Sequence, residues 1–103
     1  MIGLGKWSCR VDTMMFRGTA TLNIYDNNGE YGFELDAGGL DIPEVNVSNI
    51  VENGNTLEAV ATTPALPGKE VPISLEFDGD VFTGFLKVPF IGKVKLKDGK
   101  RIG

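Results

Sequence analysis

The chain has 103 residues, 42% of them hydrophobic, with a formal net charge of −4 and a pI near 4.7. That length is one domain's worth and buries enough apolar surface for an ordinary core. An acidic balance argues against a general nucleic-acid binder, because phosphate contacts draw on Lys and Arg. The single Cys9 permits no intrachain disulfide, and the absence of histidine removes the commonest zinc and haem ligand, so neither a metal nor a cofactor is expected.

The first segment, 6–12, opens on Gly5-Lys6-Trp7 and places Trp7, Cys9 and Val11 on one apolar face. Period-2 alternation continues over 18–26 (Ala20, Leu22, Ile24), 30–37 (Tyr31, Phe33, Leu35) and 44–52 (Val45, Val47). It returns over 55–62 (Leu57, Ala59, Ala61), 70–77 (Val71, Ile73, Leu75, Phe77), 81–88 (Phe82, Gly84, Leu86, Val88) and 92–101 (Val94, Leu96). Ile50, Val60 and Phe85 fall on the opposite, outward face. No apolar run is long enough to span a bilayer, and no charged leader precedes the first segment, so a cytoplasmic protein is expected.

Two classes of break alternate between these segments. Asn28-Gly29, Asn53-Gly54, Asp78-Gly79 and Asp98-Gly99 are dipeptides that tolerate positive φ in tight turns. The others are longer and apolar: 13–18, 37–43, 63–68 and 89–92. In a meander, alternate connections fall at opposite ends, so tight turns collect at one end and the longer loops at the other. Residues 1–103 therefore read as a single all-β domain, an eight-stranded antiparallel up-and-down barrel. Closure removes both sheet edges. A tryptophan opening the first strand and an arginine closing the last suggest that the ends meet, with Arg101 lying on the face of Trp7.

Gly5-x-Trp7, a closing basic residue and the eight-stranded meander resemble the lipocalin and calycin superfamily. The resemblance extends to a group of small bacterial lipocalin-like barrels, through Asp12-Thr13-Met14-Met15, Thr83-Gly84 and Gly99-Lys100-Arg101. It implies a barrel-closing Trp7–Arg101 pair and an interior that takes a small hydrophobic ligand. The loop lacks the Pro and Gly of that group, and the usual C-terminal helix has no counterpart, which implies a small cavity.

Sorted by height, the interior has a bulky tight-turn end (Trp7, Ile24, Tyr31, Leu57, Phe77, Phe82) and a loop end of smaller side chains. Eight strands leave room for side chains alone or for one small ligand. The candidate ligand-binding residues are Cys9, Val11, Ala20, Tyr31 and Phe33 on the first three strands, with Ala59, Ala61, Ile73, Gly84 and Leu86 opposite. Met14, Met15, Phe16, Leu40, Ile42, Leu66, Phe90 and Ile91 form an apolar rim, read as a ligand portal or an interface.

Catalysis has little to stand on. Glu34, Asp36, Glu58 and Glu76 fall on outward positions, Cys9 has no histidine to activate it, and Asp12, Asp36, Asp41 and Glu44 lack calcium-loop spacing. The first expectation is a non-enzymatic barrel binding a small apolar or amphipathic molecule, with no nucleic-acid partner and no membrane span. The alternatives are a filled barrel that homodimerises or docks on a partner, and a small-barrel enzyme that confines an apolar substrate with help from Tyr31 or Cys9.

Overall fold

A computed structural model describes residues 1–12, 17–36, 46–64, 67–89 and 91–103. Eight strands run β1 (Gly5–Asp12), β2 (Arg17–Asn27), β3 (Glu30–Asp36), β4 (Asn46–Asn53), β5 (Thr56–Thr62), β6 (Val71–Asp78), β7 (Val81–Val88) and β8 (Gly92–Arg101). They follow the expected alternation to within a residue or two, and no helix occurs among the described residues. They form one antiparallel sheet in the order β3-β2-β1-β8-β7-β6-β5-β4, an up-and-down barrel in which the first strand meets the last.

Three two-residue hairpins share one end. Asn28 and Gly29 both have positive φ (55° and 90°), the type I′ requirement, whereas Gly54 (60°) and Gly79 (62°) take the first central position of their turns. Asp98-Gly99 is not a fourth turn. It lies inside β8, where Asp98 (φ 53°) is the extra residue of a bulge: Phe82 pairs with Gly99 and Gly84 with Leu96, while Ser8 pairs with Lys100 and Arg10 with Lys97. Simple alternation from Val94 and Leu96 would send Asp98 and Lys100 inward. The bulge gives those places to Gly99, which is buried, and to Arg101, which pairs with Trp7.

A second bulge, between Ser48 and Val51 with Asn49 at φ 53°, corrects the expected facing of β4. Val47 remains opposite buried Ala61, but the parity then changes. Ile50, expected outward, packs against the core; Val51 turns out with 53% of its surface exposed. Glu52 comes opposite buried Leu57 and so takes the interior side.

The core sits at the hairpin end. Trp7, Ile24 and Leu57 are almost completely removed from solvent, and Phe77 and Phe82 complete the floor. The Trp7 and Phe77 ring centroids are 5.0 Å apart, Trp7 and Phe82 5.5 Å apart at 84°, and Phe77 and Phe82 5.9 Å apart. Each such pair adds about 0.5–1.5 kcal/mol beyond area burial. No β3–β4 backbone pairing occurs among the described residues, so the barrel is nearly rather than fully closed.

Candidate functional site

The closed end is built by Trp7 and Arg101. The Arg101 guanidinium carbon lies 4.3 Å from the Trp7 ring centroid; Nη1 donates to the Leu4 carbonyl at 2.5 Å and Nε to Asp80 Oδ1 at 3.0 Å. Trp7 Nε1 donates to the Gly3 carbonyl at 2.8 Å, which draws the N-terminal residues across the floor. Gly5, at φ 128°, has no side chain because a Cβ there would run into Arg101 and the Gly103 carbonyl.

The open side of the β3–β4 seam is held by side chains. The Tyr31 hydroxyl donates to the Glu52 carboxylate and accepts the Ile2 N–H at 2.7 Å, while the Met1 ammonium stands 3.7 Å from Glu52. Tyr31, one of the candidate ligand-binding residues, therefore has its hydroxyl engaged in the seam. Simple alternation through β4 hides the place of Glu52 at the seam, because it does not register the parity change. The one signal was Asn49, a residue type that tolerates left-handed backbone.

Above the floor, hydrogen-bonded rows bring the candidate residues around one wall. Cys9 faces Ala20, and Ala59, Ile73, Leu86 and Val94 follow one another across β5 to β8. Val47, Ala61 and Val71 form the next row toward the loop end. Cys9, Ala20, Ala59 and Ala61 are buried, whereas Val11, Phe33, Ile73 and Leu86 are only half-buried. Leu35, on the interior side opposite Leu22, is 48% exposed. The apolar interior thus passes from a dry aromatic floor to side chains partly open to solvent.

Gly84 has a local reason of its own. A Cβ would approach the Ser74 carbonyl at 2.6 Å and Leu75 Cδ2 at 2.7 Å, so the Leu75 side chain leans over the space that Gly84 leaves. Of the expected rim, Ile91 is exposed, while Met14, Met15, Phe16, Leu40, Ile42, Leu66 and Phe90 lie outside the described residues, as does Val45. Burial pushes the Cys9 thiol up from its ordinary value, which leaves it a protonated wall residue at neutral pH.

Two hollows lie on the outer surface. One, about 380 Å³, is lined by Asn46, Thr62, Thr63 and Pro64 with Gly68 to Glu70; the other, about 280 Å³, runs over β6, β7 and β8 beside Phe85 and three lysines. Among the described residues, no helix is long and apolar enough to cross a membrane. No protein-family model, curated protein or solved structure matches the chain.

Proposed function

We propose that this chain is a lipocalin-like barrel of the calycin type that holds a small apolar or amphipathic molecule, entered from the loop end, and that it works without catalysis. The observation that carries the reading is the gradient along the interior, from Trp7 at 0% exposure to Leu35 at 48%. Val11, Phe33 and Ile73 pack against the core on one side and keep part of their surface open, and burial of an apolar ligand against them and Leu86 contributes about 25 cal/mol per Å² before the costs of association. Non-catalytic use fits an interior with an unactivated thiol and with its tyrosine and carboxylate tied to one another. A bacterial, cytoplasmic setting accords with the resemblance and with a lone reduced thiol.

Native mass spectrometry of the protein purified from its own cells, followed by denaturing extraction, tests this directly. A stoichiometric small molecule on a monomer is expected. An Ala61→Phe variant, which fills the upper wall, should fold and lose that molecule; retention at full stoichiometry would remove the pocket from the interior. Exposed Leu35 and Ile91 at the same end favour a second reading, a homodimer or a docking module. A ligand-free dimer in the same spectrum would select it.

A further inference from the structure

We propose that the outer wall of the β7–β8 hairpin docks on an anionic lipid surface, with the hairpin tip entering the headgroup layer. Residues 1–86 carry a formal charge of −9 and residues 87–103 carry +5, so the positive charge of the chain is concentrated on one hairpin. Lys93, Lys95 and Lys97 alternate along β8 and therefore project from one face at intervals of about 6.7 Å. Lys87 pairs directly across from Lys93, and Arg10 on β1 pairs directly across from Lys97. Like charges in directly opposed positions destabilise a sheet. None of these five forms a salt bridge among the described residues. A wall that accepts two repulsive pairs and closes no ion pair on any of the five is arranged for an anion from outside.

The tip identifies the kind of anion. Ile91 is 46% exposed, and its N–H donates to the Val88 carbonyl at 3.2 Å while Gly92, at φ 94°, returns the chain into β8. The turn thus presents an apolar side chain between Lys87 and Lys93, the two lysines nearest it. A bilayer provides an acyl boundary for Ile91 and a plane of phosphates for the lysines in one surface. Single-stranded nucleic acid fits less well: the aromatic ring of this wall, Phe85, lies under Lys93 Nζ at 4.3 Å and is not free to stack on a base. One acid stands among these lysines: Glu76 lines the same hollow as Lys93, Lys95 and Lys97, without an ion pair to any of them among the described residues. Glu76 and Asp98 lie toward the tight-turn end, and Asp12 at the loop end is paired with Arg17 at 3.0 Å. The docking does not depend on what the interior holds.

The test is flotation of the purified chain with phosphatidylcholine vesicles containing or lacking phosphatidylglycerol, at low and high salt. Binding is expected only to the anionic vesicles and should weaken with salt. Lys93→Gln and Lys95→Gln should each reduce the partition coefficient about fivefold, the factor equivalent to about 1 kcal/mol per basic residue at such a surface. Lys87→Gln should also unfold at slightly higher urea, because it relieves the repulsion with Lys93 and leaves Lys93 over Phe85. Ile91→Asp should abolish flotation while leaving the circular dichroism spectrum unchanged. Failure to float with anionic vesicles, equal flotation with neutral ones, or full flotation of folded Ile91→Asp overturns the proposal. Binding to poly(U) that survives Ile91→Asp would overturn it in favour of nucleic acid.

Discussion

Arg101 shows how much one side chain is asked to do. It covers the Trp7 ring, donates to Leu4 and meets Asp80, but its ion pair is exposed on the Asp80 side and is worth at most about 1 kcal/mol. The larger part of its contribution is the planar stacking, about 0.5–2 kcal/mol, together with the backbone acceptor it satisfies. Arg101→Lys keeps the charge but loses the flat fork, so it should lose most of the stability that Arg101→Ala loses, about 1–3 kcal/mol in urea unfolding. If Arg101→Lys were neutral, charge rather than stacking would hold the closed end. Cys9 makes a separate prediction through protonation. Its folded-state value is raised above the ordinary 9.0 because burial opposes the thiolate, so above that pH the unfolded chain has released a proton that the native state retains. Its contribution is fully present below the ordinary value and falls as pH rises through the folded one. A Cys9→Ala variant should show a shallower alkaline loss of stability in urea titrations at stepped pH; an unchanged slope would mean the thiol ionises equally in both states.

At the scale of the strand, two bulges decide which side chains the barrel receives. With Asp98 present but paired in a regular ladder running on from Arg10 and Lys97, Asp98 would stand opposite Cys9, and Lys100, not Arg101, would lie across from Trp7. Deleting Asp98 removes the extra residue and leaves Gly99, Lys100 and Arg101 opposite Cys9, Ser8 and Trp7, so the deletion should cost less in urea unfolding than Arg101→Ala. A single substitution tests the backbone alone: Asp98 sits at φ 53°, which a β-branched residue tolerates poorly, so Asp98→Val should destabilise by about 1–2 kcal/mol while Asp98→Asn stays near neutral. These bulges also mark the limit of what periodicity makes legible. Unbroken alternation in β1, β2 and β5 to β7 revealed their interior residues, and the Asn-Gly and Asp-Gly pairs revealed the hairpin end. In β8 the same Asp-Gly chemistry serves a bulge, because positive φ is required in both settings. In β4 the count of two fails after Asn49, which exchanged Ile50 and Val51 and hid Glu52. The candidate wall was legible wherever a strand had no extra residue; the seam was not, since it depends on a parity change that composition does not announce.

For the whole molecule, the departure from closure lies between β3 and β4, which among the described residues are paired on one side only. Edge strands invite pairing with other chains, and both edges carry features that discourage it: β3 has exposed Glu30, Glu34 and Asp36, and β4 is interrupted by its bulge. Tyr31 and Glu52 tie the two together at the hairpin end without a backbone ladder. Amides of β3 and β4 should therefore exchange with deuterium faster than those of β1 and β8, whose hydrogen bonds run to both neighbours. Tyr31→Phe removes the donor to Glu52 and the acceptor for Ile2 N–H, leaving two polar groups without this partner. Because both groups can still reach water, the expected cost is about 0.5–1.5 kcal/mol, with the increase in exchange concentrated in β3 and β4. Glu52→Gln in the Tyr31→Phe background should add little, because the shared contact is already gone. Equal acceleration in all eight strands would mean that the seam opens only with global unfolding. Acceleration confined to β3 and β4 would make the seam the first part of the wall to part, beside the half-exposed Phe33 and Leu35 that face the interior.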